Sequence, residues 1–232
     1  MLEALLPSSV VTAEAFADEA GEQCFPGEED LVATAAPGRR NEFVTARRCA
    51  REALASLGHP PVAIRSGPRR EPVWPDGVAG SITHCSGYRG AAIARTDDVV
   101  SLGIDAEPHA PLPPRVIGAV TAPGDVEHLA ELTRADPSVH WDRVLFSAKE
   151  AVYKAWFPLT RRWLGFTDAR LAIDPATHTF TAELGIDGTR IDGGEPLTTL
   201  HGRCLISRDL VVTAVWVAAD TTSGVREMPP PG

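Results

Sequence analysis

The sequence predicts an α+β protein in which helices and short antiparallel strands occur in both halves of the chain. Apolar residues recur at helical spacing over residues 39–57 and again over residues 142–156. Short apolar segments separated by turn residues follow each of these helices, which is typical of strands. With 232 residues, 44% of them hydrophobic, the chain can bury a core in one large domain or two small ones.

In the first half, residues 39–57 are predicted to form a helix with an arginine face, ended by Gly58 and two prolines. Residues 58–80 are rich in Pro, Gly and Arg and are predicted to form a loop. The strands predicted after it form an antiparallel meander over residues 80–83, 90–94 and 99–104. The acidic residues 1–30 indicate no particular structure.

The second half follows a proline-rich stretch over residues 108–114. Helical patterns are predicted around residues 126–132 and 142–156, and strands over residues 169–173, 180–184, 203–206 and 210–217. Residues 221–232 end in Pro-Pro-Pro-Gly and are predicted to be disordered. No residue-level repeat proves that one half duplicates the other.

Charge and apolar run length exclude several classes of protein. The net charge of −9 argues against a nucleic-acid binder held by its overall field. The apolar run over residues 210–219 has about half the length that a membrane crossing needs. The first residues carry no basic stretch ahead of an apolar segment. A cytoplasmic location without membrane association is therefore expected.

The cysteines indicate neither a zinc site nor a redox motif. Cys24, Cys49, Cys85 and Cys204 lie far apart in the sequence and form no CxxC pair. Reduced, buried thiols are the expected state.

Two acidic motifs are candidates for chemistry. Asp105 and Glu107 follow an apolar strand and point to the same side of it, so they can share one hard cation. Glu150 and Lys154 lie four residues apart on one helix face. Taken separately, the first pair is typical of a solvated strand end and the second of a surface ion pair. The occurrence of both, about 45 residues apart and each bounded by apolar sequence, favours a site.

The combination resembles the 4′-phosphopantetheinyl transferases of the larger class with two fused half-domains, in particular its actinobacterial and enterobactin-synthesis-like branch. Two motifs carry the resemblance: residues 103–107 (GIDAE) and 146–156 (FSAKEAVYKAW). Three further segments extend it in the right order, residues 39–43, 80–85 and 157–166. The resemblance covers about residues 36–218.

The resemblance implies a fold of two similar half-domains, each a small antiparallel sheet packed on a long helix, with cofactor and metal in the cleft between them. Residues 1–110 would form the N-terminal half and residues 111–220 the C-terminal half, followed by the tail 221–232. It also implies a monomer that moves the phosphopantetheine arm of coenzyme A onto a serine of a carrier protein, releasing 3′,5′-ADP. Whether acyl forms of coenzyme A are accepted stays open.

By the same resemblance, Asp105, Glu107 and Glu150 would bind Mg²⁺, for which Mn²⁺ can substitute, together with the pyrophosphate of coenzyme A. Carboxylate and phosphate oxygens suit this ion. Either Glu150 or a water on the metal would act as the base. Lys154 would stabilise the departing 3′,5′-ADP, and Lys149 would hold the phosphates.

Further coenzyme A contacts follow from the resemblance. His84, with Thr83 beside it, is the candidate for the 3′-phosphate. The other predicted contacts are Arg39, Arg47, Arg65 and Arg69. Guanidinium groups suit phosphate oxygens, although arginines in such a run usually form a solvated helix face. Many relatives have Lys where this chain has Glu71, so which of Arg65, Arg69 or Arg70 replaces that charge stays open.

The carrier partner would be a small acidic helical domain, acyl or peptidyl, from a fatty-acid, polyketide, peptide or siderophore pathway. Since the net charge would repel it, docking needs a local basic or apolar patch. Residues 157–166, with Arg161, Arg162 and Trp163, are the candidate patch, and a buried aromatic loop is an equal alternative.

Three other functions are alternatives to phosphopantetheine transfer. A magnesium pyrophosphatase would use the three carboxylates with water as nucleophile. A non-catalytic binding module would have a damaged acidic set, whereas this chain keeps all three carboxylates and both lysines. A nucleic-acid-binding module has no supporting motif.

Overall fold

The computed structural model describes residues 1–219 and contains two antiparallel sheets. The helices are α1 (Pro37–Ser56), α2 (Pro114–Val120), α3 (Asp125–Ala135) and α4 (Trp141–Thr160). The strands are β1 (Val11–Ala15), β2 (Val78–Cys85), β3 (Tyr88–Arg95), β4 (Val99–Pro108), β5 (Ala169–Asp174), β6 (Thr179–Leu184), β7 (Thr199–Ser207) and β8 (Leu210–Ala218). The first sheet has the order β1-β3-β2, and the second has the order β4-β8-β7-β6-β5.

α1 covers the first sheet. Pro37 begins the helix, where a missing N–H costs nothing, and Gly58 follows its end with a φ of +86°. Its buried side chains Ala50 and Leu54 belong to the same core cluster as Ile93 of β3. The predicted arginine face is only partly present: Arg39, Arg40, Arg48 and Arg51 are exposed or half-buried, whereas Arg47 is buried.

α4 packs on the second sheet and lies unusually close to β4. A Cβ at Gly103 would lie 1.9 Å from the Ala151 carbonyl oxygen and 2.7 Å from the Ala155 nitrogen. Only glycine permits this approach without a shift of the backbone. Gly103 therefore allows the helix that carries Glu150 and Lys154 to lie directly on the strand that carries Asp105.

The two sheets meet along β2 and β4. The predicted meander is wrong for its third strand, because β4 follows β3 by a short turn but its backbone pairs with β8 of the second sheet. On the side of β4 that faces β2, side-chain hydroxyls accept the N–H groups that the backbone of a paired strand would otherwise accept. Ser81 Oγ accepts the Ile104 N–H at 3.1 Å, and Thr83 Oγ1 accepts the Ala106 N–H at 3.0 Å. Asp105 lies on this seam between the sheets.

The predicted α+β class with two antiparallel sheets and two long helices is confirmed, and every predicted helix and strand is present. The sequence analysis missed β1 and α2. The predicted disordered tail lies outside the described residues. All four cysteines are free, with Cys49 and Cys204 buried and Cys24 and Cys85 half-buried. No helix within residues 1–219 is long and apolar enough to cross a membrane.

Candidate active site

Asp105 lies in the middle of the seam and has two differently placed oxygens. Its Oδ1 accepts a hydrogen bond from Lys154 Nζ at 2.8 Å and a long one from Thr83 Oγ1 at 3.4 Å. Its Oδ2 is buried and has no hydrogen-bond partner within residues 1–219. A buried carboxylate oxygen without a donor is a natural position for a cation.

Lys154 connects α4 to the same strand. Besides Asp105, its ammonium donates to the carbonyl oxygen of Ile104 at 2.9 Å. The sequence analysis paired Lys154 with Glu150 by their spacing, but the hydrogen bonds of Lys154 go to β4.

Glu107 lies two residues further along β4 and is paired with Arg143 of α4, whose Nη1 donates to Glu107 Oε2 at 2.8 Å. Burial raises the pKa of the Glu107 carboxyl, the negative charge of Asp105 adds to this rise, and Arg143 opposes it. The sequence analysis did not single out Arg143, because nothing in its neighbourhood distinguishes it from a surface arginine.

Glu150 is the third carboxylate of the site. Burial raises its pKa, the positive charge of Lys154 lowers it, and the negative charge of Asp105 raises it again. Glu150 is therefore close enough to Asp105 for the two charges to interact. In the described part of the chain, no three His, Cys, Asp or Glu side chains are already gathered as a metal-binding group.

A second polar group lies at the end of β2, beside α1. Arg39 Nη1 lies 3.0 Å from His84 Nδ1, which brings together two of the predicted coenzyme A contacts. Glu42 Oε2 lies 3.2 Å from Arg39 Nη1 and 3.4 Å from His84 Nδ1. Burial, reinforced by the charge of Arg39, lowers the pKa of His84 to about 4. The charge of Lys154 also acts on His84, so this group adjoins the acidic one.

Glu42 and Arg89 complete this group and were missed by the sequence analysis. Arg89 is buried, pairs with Asp18 at 2.8 Å and lies 3.8 Å from Glu42. The three-residue spacing of Arg39 and Glu42 on a helix was an available signal. Arg89 gave none, because only the β2–β3 hairpin brings it there.

Arg47 and Arg65, two predicted coenzyme A contacts, are engaged with the protein itself. Arg47 is buried against Phe43, and its Nε and Nη2 donate to Ile64 O and Ser66 Oγ, both at 3.0 Å. Burial lowers the pKa of Arg47 to about 10. Arg65 binds both carboxylate oxygens of Asp30, at 2.5 and 2.7 Å.

Thr83 and Lys149 are almost completely buried. The Thr83 hydroxyl, as described, contacts β4 and Asp105. The Lys149 ammonium donates to three oxygens, those of Val120, Asp125 and Phe166. Because an ammonium has three N–H donors, Lys149 has none left for a phosphate. Its predicted role does not fit this geometry.

Two cavities adjoin Glu150 and Tyr153. The larger, of about 580 Å³, lies between the loop that contains Arg69 and the face of α4 that carries Lys154. Glu71 also lines it and pairs with Arg161 at 3.3 Å. The smaller, of about 100 Å³, lies between α4 and the segment from Trp163 to Phe166.

Comparison with known proteins agrees with these features. Residues 27–94 match the 4′-phosphopantetheinyl transferase N-terminal domain, and residues 101–203 match the 4′-phosphopantetheinyl transferase superfamily. The chain is 52% identical to 4′-phosphopantetheinyl transferase Svp of Streptomyces mobaraensis, over 94% of this chain and 90% of that protein. It is 48% identical to 4′-phosphopantetheinyl transferase PptT of Mycobacterium tuberculosis, over 93% of this chain and 97% of that protein.

A more distant relative is enterobactin synthase component D of Salmonella typhi, at 32% identity over 64% of this chain and 61% of that protein. The second matched segment begins within β4, the strand that carries Asp105 and Glu107, and residues 95–100 separate it from the first. With both segments matched and near-complete relatives at about half identity, this chain belongs to the 4′-phosphopantetheinyl transferase superfamily.

Proposed function

We propose that this protein transfers the 4′-phosphopantetheine arm of coenzyme A to a serine hydroxyl of an acyl or peptidyl carrier protein, using the groups on the seam between its two sheets. Membership of the superfamily gives the class of reaction. The observation that supports the site is the buried Asp105 Oδ2, which has no donor in residues 1–219 and lies beside Lys154 and Glu150.

Asp105, Glu107 and Glu150 are the residues that would hold a Mg²⁺ or Mn²⁺ ion. Three carboxylates are the ligands such an ion prefers, and Asp105 Oδ2 has a vacant acceptor site. Arg143 holds Glu107 Oε2, so Glu107 would bind the ion through Oε1. When bound, the ion supplies Lewis-acid stabilisation of the pyrophosphate charge.

In the transfer, the serine oxygen forms a bond to the β-phosphorus of coenzyme A while the bond from that phosphorus to the bridging oxygen breaks. The released electron pair goes to the α-phosphate of 3′,5′-ADP, and the serine proton must be accepted. Glu150, a half-buried carboxylate at the acidic site, is proposed as the group that accepts this proton. Lys154 is placed to stabilise the charge on the leaving group.

Arg39 and His84 are the proposed contacts of the 3′-phosphate, because they already lie together at the end of β2. Arg69 and Arg70 both line the larger cavity, so either is a candidate to replace the lysine of relatives, whereas Arg65 does not line it. Arg47 and Arg65 stay weaker proposals, since Arg47 is buried and both arginines already donate hydrogen bonds to protein groups.

The smaller cavity is proposed to receive the pantetheine arm. It shares Glu150 with the acidic site, and Tyr153, Trp163 and Leu164 make its walls largely apolar. Asp105, Glu107 and Glu150 would hold the metal ion that binds the β-phosphate. An arm attached to that phosphate must therefore lie next to these carboxylates. A narrow apolar pocket at this point suits an uncharged chain of that kind.

The carrier protein is proposed to dock beside this pocket. Trp163 is 61% exposed, and the exposed Arg161 and Arg162 precede it. Arg69 lies 5.9 Å over the Trp163 ring. This basic and aromatic patch would attract an acidic partner locally in spite of the net charge of −9.

The test is mass spectrometry of an apo carrier protein incubated with this protein, coenzyme A and Mg²⁺. The expected result is the addition of one phosphopantetheine to the carrier serine, abolished by EDTA. If coenzyme A is hydrolysed while no acyl or peptidyl carrier changes mass, the protein is a pyrophosphatase and the transfer proposal fails.

A further inference from the structure

A buried ion pair lies on the side of α4 next to the smaller cavity. Lys149 Nζ contacts Asp125 Oδ2 at 2.5 Å, and the exposed fraction is 3% for Lys149 and 0% for Asp125. The same ammonium donates to Val120 O at 2.8 Å and to Phe166 O at 2.7 Å. All three of its donors are therefore used inside the protein.

Asp125 extends this cluster to two further segments. Its Oδ2 also accepts the Ala122 N–H at 2.8 Å, and its Oδ1 accepts the Leu171 N–H at 3.2 Å. The pair thus joins α4 to the connection between α2 and α3, to the segment before β5 and to the outer edge of β5. Apart from the contact between the two side chains, every hydrogen bond of the pair is made with a backbone N–H or carbonyl group. The pair therefore fixes backbone positions.

Stability alone does not account for a pair at this depth. Replacing a buried ion pair by apolar residues of similar volume is often neutral or stabilising, since both charges lose their hydration. A buried ion pair instead enforces a defined geometry, because a buried cluster with only part of its hydrogen bonds made is strongly unfavourable. Lys149 fixes the position of Phe166 through the hydrogen bond to its carbonyl oxygen. Both residues line the smaller cavity.

We propose that Lys149 is a positioning residue that, together with Asp125, holds the Phe166 wall of the smaller cavity in place for the pantetheine arm, and that it does not bind phosphate. This inference rests on the proposed function, which assigns that cavity to the arm. It also separates the two lysines of the helix motif, since Lys154 faces the acidic site and Lys149 faces the protein interior.

The test compares the affinities of two ligands for the wild type and for Lys149→Met and Asp125→Asn, by calorimetry. Coenzyme A has the pantetheine arm, whereas 3′,5′-ADP lacks it. Both variants should weaken coenzyme A binding by about tenfold or more, because small misplacements of a site are costly. Binding of 3′,5′-ADP should stay within about twofold of the wild type.

Asp125→Asn is the informative variant because it leaves the ammonium of Lys149 in place and is nearly isosteric. If Lys149 binds phosphate, removing its competing carboxylate leaves coenzyme A affinity unchanged or improved, and that result overturns the proposal. Lys154→Met is the matched control, expected to weaken both ligands, and the melting temperature of each variant shows whether it folds.

A second outcome also overturns the proposal. If both variants lower the melting temperature but bind coenzyme A as the wild type does, the pair contributes stability only. These titrations need no carrier protein, so they distinguish failure of this inference from failure of the transfer reaction. Should Lys149→Met not fold, Asp125→Asn alone decides between the alternatives.

Discussion

Asp105 shows how a single side chain can indicate a ligand. Its Oδ1 has a lysine partner, whereas its Oδ2 is buried with no partner among the described residues. A buried polar atom left without a hydrogen bond costs about 1–3 kcal/mol. A cation beside Oδ2 would remove this cost, which supports the proposed metal ion at this point.

Removing charge from the acidic site should abolish transfer and leave the fold intact. Asp105→Asn and Glu150→Gln keep the shape of each side chain but remove one negative charge. We expect a loss of kcat of about a hundredfold or more for each, because charge placed for the transition state is among the largest contributions to catalysis. Steady-state kinetics, with circular dichroism for the fold, measures this.

Glu183→Gln is the matched control, since Glu183 is 67% exposed on β6 and pairs only with Arg170 in the part of the chain that is described. It should retain full activity. Wild-type turnover in either Asp105→Asn or Glu150→Gln contradicts the assignment of these carboxylates.

Coenzyme A binding should be coupled to proton uptake by His84. The free protein holds the pKa of His84 at about 4, so the imidazole is neutral at pH 7. A phosphate beside it favours the charged form and raises that pKa. Between the two pKa values, affinity rises as pH falls, because the complex binds a proton that the free protein does not.

The measurement is calorimetry of coenzyme A binding between pH 8 and 5 in two buffers of different ionisation enthalpy. His84→Asn removes the titrating group, while titration of the ligand itself is common to both proteins. We expect the affinity ratio of wild type to variant to grow as the pH falls. A pH-independent ratio shows that His84 does not contact a phosphate.

For single residues, the sequence drew attention to carboxylates in distinctive motifs and misjudged residues whose direction depends on packing. Asp105 stands in a motif whose carboxylates can share a hard cation, and the family resemblance predicts the same role for Glu150. Lys149 lies in the same motif as Glu150, but its direction depends on the fit of α4 against α3 and β5. Arg143 became recognisable only through its contacts, whereas the spacing of Glu42 from Arg39 was a signal that the sequence analysis did not use.

α4 and β4 form the structural unit that builds the site. The motif glycine Gly103 allows the helix backbone to contact the strand, and Lys154 then reaches the Ile104 carbonyl. The geometry of the acidic site therefore depends on a position that carries no functional group.

Gly103→Ala should damage both stability and activity. Its methyl group would collide with the backbone of Ala151 and Ala155, which cannot move without displacing α4. Overpacking of this kind typically costs about 1–3 kcal/mol. Urea unfolding measures the loss of free energy, and transfer assays should show a fall in kcat.

Gly118→Ala is the matched control because Gly118 lies in α2 and its added methyl group would meet nothing within 4 Å. It should be neutral or stabilising by up to about 1 kcal/mol. Equal effects of the two substitutions would show that close packing of α4 on β4 is unimportant.

Most elements were predictable because their apolar periodicity is strong, and the two that were missed lack it. The five residues of β1 are all only half-buried, so the strand shows no alternation. α2 has seven residues and follows a proline-rich stretch, which resembles a loop in the sequence. The pairing of β4 with β8, more than a hundred residues apart, has no local signal.

For the molecule as a whole, the contrast between net charge and local charge governs partner recognition. The total of −9 repels an acidic carrier protein, whereas the exposed Arg161 and Arg162 precede Trp163. These two arginines now pair with Glu71 and Asp187, and the carboxylates of an acidic partner would replace those pairs. Association should therefore depend on a few exposed cations and on salt.

Arg162→Gln should raise the KM for an acidic carrier protein by about threefold to tenfold at low ionic strength and leave the KM for coenzyme A unchanged. The difference should shrink at high salt, because exposed charges are screened. Arg170→Gln removes another exposed, ion-paired arginine on β5, away from the patch, and should have no effect. An equal change in both variants would exclude this patch as the docking surface.

The most direct test of the account is the anomalous scattering of Mn²⁺ in crystals of the protein grown with coenzyme A. We expect one strong peak on the seam between the sheets, within bonding distance of carboxylate oxygens from Asp105, Glu107 and Glu150 and of the pyrophosphate. A peak elsewhere, or one that Glu150 does not reach, would contradict the claim that these three residues form the metal site.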